Sequence, residues 1–138
     1  MPALHILRKI EPLCSPKDTL YTHILWYYTG VLSQLEKDYR MQEKFDSSLA
    51  CGLEALPLIR RAMPRFDAKF AAREYWMVKN IIVSYFGLNQ YDKAAKYQAE
   101  LYAARNKKKL PEGLDEYYNF SFYRYEGKNI WGYEWYPE

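Results

Sequence analysis

The chain has 138 residues, with 20 basic and 17 acidic side chains, a net charge of +3 and an apolar fraction of 49%. These values suit one compact soluble domain, exclude a disordered chain, and leave no apolar run of about eighteen residues that could span a membrane. The abnormal quantity is aromatic content: 15 Tyr, 6 Phe and 4 Trp make 18% of the residues, and ten of these lie between Tyr117 and Tyr136.

Residues 1–15 carry Leu4, Leu7 and Ile10 in a short helical pattern. They lack the continuous apolar segment and small-residue cleavage site of a secretory signal. Cys14 and Cys51 have no CxxC spacing and read as reduced thiols, so the expected location is the cytoplasm. Ser15-Pro16-Lys17-Asp18 reads as a helix start, with serine as cap, proline in the first turn and Asp18 near the positive helix end. Apolar periodicity continues through Leu20, Ile24, Leu25, Tyr28, Leu32, Leu35 and Tyr39 to about Gln42. A second helix begins near Phe45 and directs Leu49, Leu53, Leu56 and Ile59 toward a core, with Pro57 expected to kink or end it.

Met63-Pro64-Arg65-Phe66-Asp67 forms the next break, with Asp67 as a cap. A third long helix then runs to about Gly87 through Phe70, Trp76, Ile81, Ile82 and Tyr85. Leu88-Asn89-Gln90 is a turn, and the fourth helix extends from Tyr91 to about Lys108 with Ala94, Ala95, Leu101 and Tyr102. Lys107, Lys108 and Lys109 suit its negative C-terminal end better than a phosphate contact. From Tyr117 the pattern changes. Phe120–Tyr125 and Ile130–Tyr136, joined by Glu126-Gly127-Lys128-Asn129, read as an aromatic β-hairpin of undecided register. It would cap the stack over 111–138, expose an aromatic face to a partner, or do both.

The two helix pairs repeat each other. Leu32, Leu35, Tyr39, Phe45, Asp46 and Ser48 recur 46 residues later as Val78, Ile81, Tyr85, Tyr91, Asp92 and Ala94. A fixed period of this kind marks stacked helical hairpins. The stretch Tyr85–Tyr97, with its aromatic, turn, aromatic-acidic pair and small residue, resembles the middle of a tetratricopeptide repeat. The resemblance covers about residues 16–110. Its period is longer than that family's usual 34, Glu36 and Ile82 stand where it has a small residue, and Gly52 and Gln98 stand where it has an aromatic. It implies a mainly α fold: antiparallel hairpins in a right-handed stack of about two repeats, with a short N-terminal helix before them.

Chemistry-bearing motifs are missing. There is no HExxH, Cys/His cluster, glycine-rich phosphate loop or GxSxG elbow, so no catalytic residue, metal or cofactor is expected. His23 reads as a packed or rim residue, and Glu36 with Arg40 as a solvated helix pair. The expected activity is non-catalytic protein–protein interaction, as an adaptor, regulator or chaperone-like module. A small bacterial inhibitor or immunity-type protein and a single-strand nucleic-acid binder are the alternatives. The resemblance places Gly30, Ser33, Lys37 and Arg40 of one hairpin, and Trp76, Lys79, Val83 and Phe86 of the next, on the inner surface. Such a groove suits a protein or peptide partner with an acidic segment. Tyr123, Tyr125 and Trp131 are the expected partner contacts on the hairpin, whose open edge could also pair two copies as a homodimer.

Overall fold

Asp18, not Ser15, starts the first long helix. Pro16 occupies the second position of a β-turn closed by the Asp18 amide donating to the Ser15 carbonyl at 3.0 Å. The extended Asp18 then accepts the Leu20 amide on its carboxylate at 3.0 Å and caps the helix. Serine and proline therefore build the turn before the helix, and aspartate supplies the cap.

The structure is a computed structural model that describes residues 2–62 and 67–114, with only the backbone described for 67–69. It is mainly helical: α1 (Pro2–Ile10), a short 3-10 turn (Glu11–Leu13), α2 (Thr19–Met41), α3 (Phe45–Ala62), α4 (Asp67–Gly87) and α5 (Tyr91–Asn106). Each long helix packs mainly on its neighbour in sequence, α2 on α3, α3 on α4 and α4 on α5, and α1 rests on α2. An α2–α5 pairing, which would close an ordinary four-helix bundle, is not among the main contacts of the described residues. These residues contain no strand; the expected hairpin, with Tyr123, Tyr125 and Trp131, lies outside them.

Helix ends are set by one recurring device. Tyr39 and Tyr85 each accept a backbone hydrogen bond from five residues ahead, Lys44 at 2.9 Å and Gln90 at 2.8 Å. The residues just before those donors, Glu43 and Asn89, take φ values of 58° and 57°. Lys108 and the Lys109-to-Ala104 bond repeat the arrangement at the end of α5. This is the left-handed helix stop that satisfies terminal carbonyls. The α2–α3 and α4–α5 connections thus share one geometry at positions 46 residues apart.

Close packing relies on small residues at these junctions. Ser48 and Ala94 are fully buried near the starts of α3 and α5. A Cβ on Gly87 would lie 2.3 Å from the Phe45 ring, and one on Gly52 would lie 2.8 Å from Ile81 Cγ1. The core around them contains Leu25, Leu32, Ile59, Phe70, Ile82 and Leu101.

Pro57 neither ends α3 nor appears in its buried stripe. The helix continues through it to Ala62. Proline cannot donate to the Leu53 carbonyl, but both residues lie on the exposed side, where water can satisfy that acceptor. For the same reason Leu53 is a surface residue and not the core residue its spacing predicts. At the N-terminus, Leu4 is buried while Ile10 is exposed. Arg8 pairs with Glu54 of α3, which also accepts from Tyr28 of α2 at 2.5 Å. Arg61 pairs with Glu11, which accepts from Tyr21 at 2.7 Å. These two polar clusters fasten the N-terminal segment across the first helix pair.

Candidate functional site

Helices α2, α3 and α4 meet around a buried carboxylate. Glu36 is 1% exposed, so its charge requires compensation. Its Oε1 accepts from Arg40 Nε at 2.8 Å and from the Ser48 hydroxyl at 3.1 Å, and its Oε2 accepts from Asn80 Nδ2 at 3.0 Å. Ser48 also lies 2.9 Å from the Ser84 hydroxyl. Three helices therefore meet at one carboxylate. This overturns the expectation of a solvated Glu36–Arg40 pair: helical spacing identifies Arg40, but Ser48 and Asn80 come from α3 and α4.

The groove residues expected from sequence divide by accessibility. Lys37 is exposed, and Ser33, Arg40 and Trp76 are half-buried. The Ser33 hydroxyl is turned inward and donates to the Thr29 carbonyl at 2.6 Å. Val83 and Phe86 are 3% and 1% exposed and belong to the core, because α4 packs between α3 and α5. Lys79 is also buried, with its ammonium 5.3 Å from the Trp76 ring centroid. Burial, then repulsion from Arg40, pulls the Lys79 pKa down to about 7, although Glu36 works in the opposite direction. Its charge is thus only partly available at neutral pH.

One helical turn toward the start of both helices is a feature the sequence reading does not include. Arg73 of α4 packs on the ring of Trp26 of α2, its guanidinium carbon 3.3 Å from the ring centroid. Its Nη1 donates to the Trp26 carbonyl at 2.9 Å and to the Thr29 hydroxyl at 2.8 Å. Phe70 meets the same indole edge-on at 4.9 Å. Burial lowers the Arg73 pKa. Beside this stack opens a cavity of about 450 Å³, lined also by His23, Tyr27, Gly30, Val31 and Gln34. Continuing the stripe from Gly30 and Trp76 by one turn reaches Trp26 and Arg73, which is the signal that would have found them.

Other polar clusters have structural partners. Arg60 of α3 pairs with Glu74 of α4 and Glu100 of α5, joining the last three helices beside a second cavity of about 400 Å³. Among the described residues no group of His, Cys, Asp or Glu is placed to hold a metal ion, and no helix is long and apolar enough to cross a membrane. No protein-family model, curated protein or solved structure matches the chain.

Proposed function

We propose that this chain is a non-catalytic protein-interaction module, built on two tetratricopeptide-like helical hairpins, whose α2–α4 face holds an acidic segment of a partner protein. The observation that supports this reading is the charge inventory of that face. Lys37, Arg40 and Arg73 lie along it, while its one buried carboxylate, Glu36, already accepts three hydrogen bonds. Net positive potential beside half-buried Trp76 and exposed Tyr27 favours an anionic chain with apolar neighbours. Trp and Tyr also provide the large contact area that dominates binding at small interfaces.

The test is affinity capture from lysate, followed by mass spectrometry, with wild type and a Lys37→Glu, Trp76→Ala variant. Wild type should retain specific proteins that the variant releases, and retention should fall as salt rises. Equal retention by both proteins would refute the α2–α4 assignment. Recovery of nucleic acid instead of protein would refute the partner class.

A further inference from the structure

We propose that the Arg73–Trp26 cleft is a specific pocket for the side-chain carboxylate of an Asp or Glu within an extended partner peptide. The inference rests on the segment-binding reading above and identifies the contact that would give it specificity.

The geometry of Arg73 carries it. A guanidinium has five N–H donors arranged around a plane. The two on Nη1 are directed at the Trp26 carbonyl and the Thr29 hydroxyl. The Trp26 ring lies against the group, its centroid 3.3 Å from the guanidinium carbon. These contacts orient the group, and among the described residues its Nε and Nη2 donate no hydrogen bond; that edge takes a carboxylate through two parallel hydrogen bonds. No ion pair to Arg73 occurs among the described residues, unlike Arg8, Arg40, Arg60 and Arg61. A half-buried, oriented arginine that has no acidic partner among the described residues and lies beside an open cavity is a carboxylate receptor in chemical terms.

The surrounding residues define the chain that presents the carboxylate. Gly30 forms a bare floor: a Cβ there would already contact both Arg73 terminal nitrogens, at 3.8 and 3.9 Å. Tyr27, 69% exposed, and Val31 provide an apolar wall for the residues flanking the acid. The lining extends along α2 from His23 to Gln34, about three helical turns or roughly 16 Å. That length matches about five extended residues. Gln34 already donates to Asp38 at 3.0 Å, and among the described residues Arg73 is the one arginine or lysine lining the cleft. A chain therefore passes along the cleft, and its acidic side chain, rather than a terminal carboxylate, reaches Arg73.

The experiment is selection from synthetic random heptapeptides with acetylated N-termini and amidated C-termini, alongside a matched library with free C-termini. Wild type should enrich Asp or Glu at one central position at least tenfold, with apolar neighbours. Arg73→Met should abolish the enrichment, and Arg73→Lys should weaken binding of a selected peptide about tenfold because the two-point contact is lost. Gly30→Leu provides a second variant that favours the α2 helix while filling the cleft floor, and it should lose the same peptides with its helical circular dichroism intact. Enrichment confined to free C-termini, or acidic preference that survives both Arg73→Met and Gly30→Leu, would overturn the proposal. Peptides bound without any acidic preference would overturn it while leaving the segment-binding reading in place. No peptide bound by wild type would overturn both.

Discussion

Replacing Glu36 with alanine tests whether the polar junction holds α2, α3 and α4 together. The side chain is 1% exposed and accepts from Arg40, Ser48 and Asn80. The partners lose unequal amounts. Ser48 keeps Ser84 at 2.9 Å, and Arg40, 20% exposed, can turn toward water. Asn80 loses its acceptor, and its buried Oδ1 already has no hydrogen-bond partner. Removing one member of a buried ion pair typically costs ~3–5 kcal/mol, and the freedom of Arg40 places this case near the lower limit, at about 3 kcal/mol. Glu36→Gln keeps an acceptor for Asn80 or Ser48 but loses the charge-assisted bond, so about 1.5 kcal/mol is expected. Urea unfolding followed by far-ultraviolet circular dichroism measures both values. A loss below about 1 kcal/mol for Glu36→Ala, or equal losses for the two variants, would refute the reasoning.

Lys79 predicts a pH dependence of the opposite sign from that of a salt-bridged lysine. Its folded pKa is depressed to about 7 from the usual 10.5, so between those values the unfolded chain holds more protons and stability rises with pH. The full cost is present below about pH 7 and disappears toward pH 10. Lys79→Met should therefore be more stable than wild type at pH 6–7, on the order of 2–4 kcal/mol, with the difference vanishing near the upper limit; parallel pH profiles would reject this. Gly87→Ala should cost about 1–2 kcal/mol because three Phe45 ring atoms lie within 2.5 Å of the new methyl. In thermal or urea melts the cost should largely disappear in a Phe45→Ala background, and strict additivity would show that the contact is not limiting.

Local signals made most of the helical architecture legible. The Tyr39–Lys44 and Tyr85–Gln90 stops follow from turn chemistry and recur at the spacing that the sequence repeat predicts. The start of α2 was displaced because Pro16 fits both a helix's first turn and a β-turn, and only the Asp18 cap distinguishes them. Pro57 does not end α3, because a missing amide matters little where the orphaned carbonyl faces water. The α2–α4 side was less legible. A stripe on one helix cannot separate a groove position from a core position when a second helix covers it, as happens to Val83 and Phe86 on α4. Glu36 shows the same limit in polar form, since two of its three donors lie 12 and 44 residues away in sequence. Arg73 and Trp26 were missed for a simpler reason: the expected groove began one turn too late on both helices.

The central claim is that partner segments lie on the α2–α4 face, and site-specific photocrosslinking tests it most directly. Benzoylphenylalanine would replace Tyr27 or Lys37 on that face, and Leu53 or Tyr102 on the exposed surfaces of α3 and α5. With an acidic heptapeptide selected on wild type, adducts are expected from positions 27 and 37 and not from 53 and 102. Adducts from 53 or 102 with none from 27 and 37, or equal yields at all four positions, would contradict the account.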